Sequence, residues 1–158
     1  MKGEKMARRS LLKASVAAAG LTTALSGTTK AGRKKEVLIS AKAALPIGPY
    51  SQGIRVGNLV YVAGEKGIDP KTAKIVPGGI VAETRQTLEN IKAILAEAGA
   101  TMDNVVAANV YLTDLKDFEH MNQVYAEYFR KDPPVRTTVQ VAALPAGAIV
   151  EITVVAAI

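Results

Sequence analysis

The sequence predicts one α+β domain: a mixed sheet covered on one face by two helices. Three observations lead there. Short β-rich runs and helix-period stretches follow one another in the order β-β-β-α-β-α-β-β. Two segments, Ile80 to Ala98 and Phe118 to Tyr128, carry apolar residues at helical spacing. The length, 158 residues with 49% hydrophobic and 22% charged, suits a single core with enough apolar surface to fold.

In chain order, the first expected element is not part of that domain. Residues 1–35 carry nine Lys or Arg against one acid, Glu4, so the formal charge of +6 sits in this leader, and residues 36–158 hold 11 basic and 13 acidic residues. Ala7-Arg8-Arg9-Ser10-Leu11-Leu12-Lys13 precedes an uncharged stretch from Ala14 to Thr29, which is the layout of an export signal. The arginine pair, the leucines behind it and the weakly apolar run resemble a twin-arginine signal, read by a receptor that exports folded cargo. The run is too short and too rich in Gly, Ser and Thr to predict a membrane span. Thr22 with Ala24, and Thr29 with Ala31, offer two cleavage sites. The expectation is an exported, periplasmic protein with no membrane segment once processed.

The domain is expected from Glu36, with Val37-Leu38-Ile39 as its first strand and a Pro/Gly loop, Leu45 to Tyr50, after it. Gly53–Val56 and Leu59–Ala63 flank Gly57-Asn58, whose glycine suits a type II′ hairpin turn. Ile68 to Thr72 and Pro77-Gly78-Gly79 are turn chemistry. The helix that follows places Ile80, Thr84, Leu88, Ile91, Leu95 and Ala98 on one face and stops at Gly99. Val105 to Leu112 is β-branched and reads as a central strand. Asp114 or Asp117 can cap the second helix, lined by Phe118, Met121, Tyr125 and Tyr128 and ended by Pro133-Pro134. Arg136 to Val141 and Ile149 to Ile158 complete the sheet through a connection at Leu144 to Gly147. The last strand is apolar at both alternating parities, so both its faces look buried. A closed homo-oligomer with sheets facing one another is the simplest explanation.

Composition also restricts the chemistry. A domain with slightly more acid than base offers no footprint for phosphate backbones, so no nucleic-acid partner is expected. With no cysteine and one histidine, His120, read as a helix surface residue, neither a thiolate nor a histidine metal site is visible. Ser40 and Ser51 have no recognisable base, and no phosphate-binding glycine motif is present. Three residues remain. Glu151 is the only charge between Val139 and Ile158, and a carboxylate in an apolar strand needs a partner or a task. Arg136 starts the strand directly behind the proline pair, and its planar fork suits a carboxylate. Tyr50 sits on a proline-stiffened loop where its ring and hydroxyl could close a pocket. A structural ion pair, an arginine at a strand end and a core aromatic are the plain alternatives for these three.

An ordered set of motifs goes further. Gly48-Pro49-Tyr50-Ser51-Gln52, Gly57-Asn58-Leu59-Val60, Asp69-Pro70-Lys71-Thr72, Thr84 to Asn90, Val110 to Asp114, Asn122 with Tyr125 to Phe129, and Pro134 to Val139 together resemble the reactive intermediate deaminase family, also called RidA or YjgF. The resemblance runs from about Val37 to Ile158. It implies a chorismate-mutase-like subunit in a homotrimer, with sites in the clefts between subunits. It also implies cofactor-independent hydrolysis of enamines and imines, such as 2-aminoacrylate and 2-iminobutanoate, to 2-keto acids and ammonia. Carried over by motif, Arg136 would hold the substrate carboxylate and Glu151 would position or activate water. Tyr50, Asn122, Thr138, Ala63 and Gly64 would line the cleft. Many relatives place a small hydroxyl residue before the third-strand glycine and a glutamine after it, where this chain has Ala63-Gly64-Glu65-Lys66, and some have cysteine where Thr138 stands.

A simple hairpin around Pro145 would pair Arg136 with about Val155 and set Glu151 opposite Gln140, roughly 13–17 Å away; a wide loop, a bulge, a long arginine reach or neighbouring subunits would have to close that gap. The rival to a deaminase is a trimer that binds small carboxylates without turnover, or acts like a chaperone, for which Ala63 and Glu65 are the best support.

Overall fold

The computed structural model describes residues 34–158; the expected leader lies outside them, apart from its last two residues. The sheet begins with β1 (Lys35–Leu38), followed by β2 (Gly53–Val56) and β3 (Leu59–Lys66). Gly57 takes φ +63 between β2 and β3, a conformation that favours glycine in a tight hairpin turn. The expected turn at Asp69 to Thr72 is present and is flanked by two very short strands, β4 (Ile68–Asp69) and β5 (Lys74–Ile75). The Asp69 carboxylate accepts a hydrogen bond from the Lys71 amide at 2.7 Å, the local turn chemistry of aspartate.

Helix α1 (Gly79–Glu97) buries Leu88, Ile91, Ile94 and Leu95 against the sheet. β6 (Val105–Leu112) returns through the middle of the sheet. A short 3-10 turn over Leu115–Asp117 follows, with the Asp114 carboxylate accepting from the Lys116 amide, and then α2 (Phe118–Tyr128). Its buried face is Met121, Val124 and Tyr125, while Phe118 stays partly exposed. β7 (Val135–Gln140) and β8 (Val150–Ala157) end the domain. The order of the main elements is the expected one, and the fold is an α+β mixed sheet with two helices.

Sheet order is β1-β2-β3-β8-β6-β7. β7 and β8 therefore do not form the hairpin expected around Pro145. β6 lies between them, parallel to β7 and antiparallel to β8. The reason is the crossover: α2 leads from β6 to β7, and a βαβ unit yields parallel neighbours. The chain must then step over β6 to reach its final place, through a 3-10 turn at Pro145–Gly147.

Along β8, Val150, Ile152, Val154 and Ala156 are buried beneath the helices, and Glu151, Thr153, Val155 and Ala157 are half-buried on the other face. No other described residue covers that second face. One of its rows runs Tyr61, Val155, Ala107, Val135, with Tyr61 45% and Val135 74% exposed. No helix among the described residues is long and apolar enough to cross a membrane.

Candidate functional site

The residues singled out from the sequence fall into two groups, set on opposite faces of the sheet. Paired residues in adjacent strands point the same way. Arg136 pairs with Ala108, a buried residue on the helix-covered face. Glu151 pairs with Tyr111 in the opposite alternation. Three residues along the strands and two strand spacings across set their Cα atoms roughly 14 Å apart. Within one chain, the guanidinium and the carboxylate do not meet.

The first group surrounds Arg136. Its guanidinium carbon lies 4.5 Å from the centroid of the Tyr125 ring and 5.7 Å from that of Phe118, so α2 supplies an aromatic bed for the cation. Pro133 and Pro134 fix the approach, and with Asn122, Tyr125, Ala126 and Phe129 they line a cavity of about 460 Å³ at which Arg136 sits. Burial pushes the Tyr125 phenol up to about 12, against the opposing charge of Arg136. The Tyr125 and Thr138 hydroxyls are both buried without a hydrogen-bond partner. Thr138 shares the face of Arg136 two residues along β7, although it does not line that cavity.

The second group surrounds Glu151. A cavity of about 290 Å³ is lined by Ile47, Tyr50, Ala63, Gly64, Lys66, Pro145 and Glu151. Tyr50, Ala63 and Gly64 are thus brought to Glu151, and Asn122 to Arg136. The Tyr50 hydroxyl accepts from the Ile47 amide at 3.2 Å. Gln52 tethers the start of this loop region from the core: its side chain accepts from the Ser40 amide at 2.7 Å and donates to the Ala44 carbonyl at 2.7 Å.

A bulge in β3 builds the wall behind Glu151. Val62 pairs with Val154, but Glu65 pairs with Ile152, so β3 spends three residues where β8 spends two. The extra residue reverses the alternation. Glu65 is turned to the buried side and Lys66 to the side of Glu151. Gly64 comes so close to Glu151 that an added Cβ would collide with the carboxylate.

Sequence reasoning missed Lys66 as a partner of Glu151, and noted Glu65 only as a departure from relatives. Lys66 Nζ lies 3.3 Å from Glu151 Oε2, with side chains only 7% and 19% exposed. Burial raises the Glu65 carboxyl to about 7, and the Glu151 charge adds to this while Lys66 opposes it. Two adjacent charges at the end of an apolar strand were the available signal.

Comparisons with known proteins agree with this architecture. A family model described as Endoribonuclease L-PSP matches residues 40–158. The chain is similar to a RutC family protein of Pyrococcus abyssi, 52% identical over 122 residues covering 77% of this chain and 96% of the relative. It is also similar to the 2-iminobutanoate/2-iminopropanoate deaminase of Capra hircus, 46% identical over 122 residues, with 77% and 89% covered. Among solved structures, the crystal structure of E. coli TdcF with bound serine superposes with a TM-score of 0.75 at 35% identity, covering 78% of this chain and 98% of that one.

Proposed function

The chain belongs to the endoribonuclease L-PSP family, and on that premise we propose that it is a cofactor-independent deaminase. It hydrolyses small 2-imino acids and their enamine forms, such as 2-iminobutanoate and 2-aminoacrylate, to 2-keto acids and ammonia. The observation that carries this reading is the division of the site: an arginine over an aromatic bed in one cavity, and an acid against a glycine in another, each incomplete alone. A homotrimer that sets the Arg136 cavity of one protomer against the Glu151 cavity of the next joins them. The second sheet face, on which Tyr61 and Val135 are exposed among the described residues, supports such an assembly.

In that cleft, Arg136 receives the substrate carboxylate through two parallel hydrogen bonds and fixes where the imine carbon lies. Glu151 takes a proton from water as the oxygen adds to that carbon, and the imine nitrogen gains a proton. The resulting carbinolamine loses ammonia as its hydroxyl oxygen becomes the keto oxygen. One water enters and one ammonia leaves. Imines are already electrophilic, so orientation and one general base, each worth about 10²–10⁴-fold, suffice. The serine bound in the TdcF structure and the named activity of the goat relative support a carboxylate-bearing ligand of this size.

Export by a twin-arginine signal in residues 1–35, and a periplasmic working place, are part of the same proposal, supported by the Arg8-Arg9 leader. The deciding experiment is ammonia release from an enzymatically generated imine. Wild-type acceleration over buffer that is lost in Arg136→Ala upholds the deaminase; wild type and variant both at the buffer rate would leave a small-carboxylate binder instead.

A further inference from the structure

We propose that Lys66 is a positioning residue for Glu151, holding its carboxylate against the Gly64 backbone in the orientation that water activation uses; this inference rests on the deaminase reading above.

An ammonium on a side chain only 7% exposed is retained only where partners replace its water. Lys66 has two: it donates to the Gly64 carbonyl at 2.8 Å and to Glu151 Oε2 at 3.3 Å. Its backbone is held as firmly. The buried Asn90 side chain donates to the Lys66 carbonyl at 3.0 Å and to the Ile68 carbonyl at 2.9 Å, while its own oxygen accepts from Gln86 at 2.9 Å. Helix α1 thereby fixes the strand segment, the bulge aims Lys66 at Glu151, and Lys66 ties down one carboxylate oxygen. The other oxygen packs where a Cβ of residue 64 would stand.

A structural ion pair would need none of this. A glutamate side chain has several rotamers of similar energy, and a single anchor selects one. Here the anchor is applied at a cavity wall, on an acid that keeps 19% of its side-chain surface open. An apolar pair would serve stability as well. The arrangement favours orientation over bulk stabilisation.

The full chain has no cysteine, which permits a chemical rescue. Lys66→Cys removes the ammonium, and alkylation with 2-bromoethylamine restores one at nearly the original length. Lys66→Met, closest in shape, serves if Lys66→Cys does not fold. We expect either variant to lower kcat by about tenfold or more with KM within about threefold, because Arg136 still binds the substrate carboxylate. Aminoethylation should recover most of kcat. Unchanged kcat in both variants, or no recovery after full alkylation, overturns the proposal. Should the wild type itself show no turnover, the deaminase reading fails, and crystal structures decide the positioning role separately. Glu151 leaving Gly64 in Lys66→Cys and returning after alkylation upholds it; Glu151 unmoved rejects it.

Discussion

Gly64 and Glu151 occupy space that only a glycine leaves open: the carboxylate of one lies where the side chain of the other would begin. The obstacle to a larger residue is the far end of a flexible side chain, not backbone. Gly64→Ala should therefore fold with a melting temperature within a few degrees of wild type and lose about tenfold or more in kcat as Glu151 is pushed aside. Paired thermal melts and ammonia release check it. A variant with wild-type kcat would show that the contact is incidental.

Because Arg136 and Glu151 leave opposite faces of the sheet, a site built from both must draw on two protomers. Arg136→Ala and Glu151→Gln should each be inactive alone. In the trimer proposed above, random co-assembly of the two variants should recover roughly a quarter of the wild-type rate, since that share of clefts receives both intact residues. No recovery in verified mixed trimers would mean that the two residues do not share a cleft.

Glu65 gives a pH signature of stability. Its carboxyl is raised from 4.5 to about 7 in the fold, chiefly by burial. The folded state thus keeps a proton that the unfolded chain loses, and stability declines as pH rises from about 4.5 to about 7, then levels. Glu65→Gln removes that decline. It should match wild type near pH 4.5 and exceed it by up to roughly 3 kcal/mol above pH 7.5. Denaturant titrations at the two pH values measure this, and equal gains at both would contradict the assignment.

Gln52 holds the segment ahead of Tyr50 through hydrogen bonds to the Ser40 amide and to the Ser40 and Ala44 carbonyls, with only 1% of its surface exposed. Gln52→Leu keeps the volume but strands those backbone groups. A loss of about 2–4 kcal/mol is expected, with faster amide exchange across residues 40–44. Protection unchanged at Ser40 would refute the tether.

Local chemistry made much of the fold legible. The helix expected from Ile80 to Ala98 is found at Gly79–Glu97, Asp114 caps the turn before α2, and Gly57 turns the hairpin, because each depends on neighbours in sequence. Long-range pairing was not legible. The placement of β6 between β7 and β8 follows from a crossover, and the proximity of two sequence segments suggested a hairpin instead. The bulge was equally hidden. Counting alternately from Val60 and Val62 turns Glu65 outward and Lys66 inward, and one extra residue inverts both. That inversion is why Lys66 was not read as a neighbour of Glu151; of the residues expected in one cleft, Tyr50, Ala63 and Gly64 line the Glu151 cavity, while Asn122 lines that of Arg136.

The final strand sits in the interior of the sheet, with β3 on one flank and β6 on the other. Without residues 150–157, strands β1–β3 and the β6-α2-β7 unit are two separate half-sheets, each with an unsatisfied edge. Loss of that one strand would therefore leave two adhesive borders rather than a slightly smaller sheet.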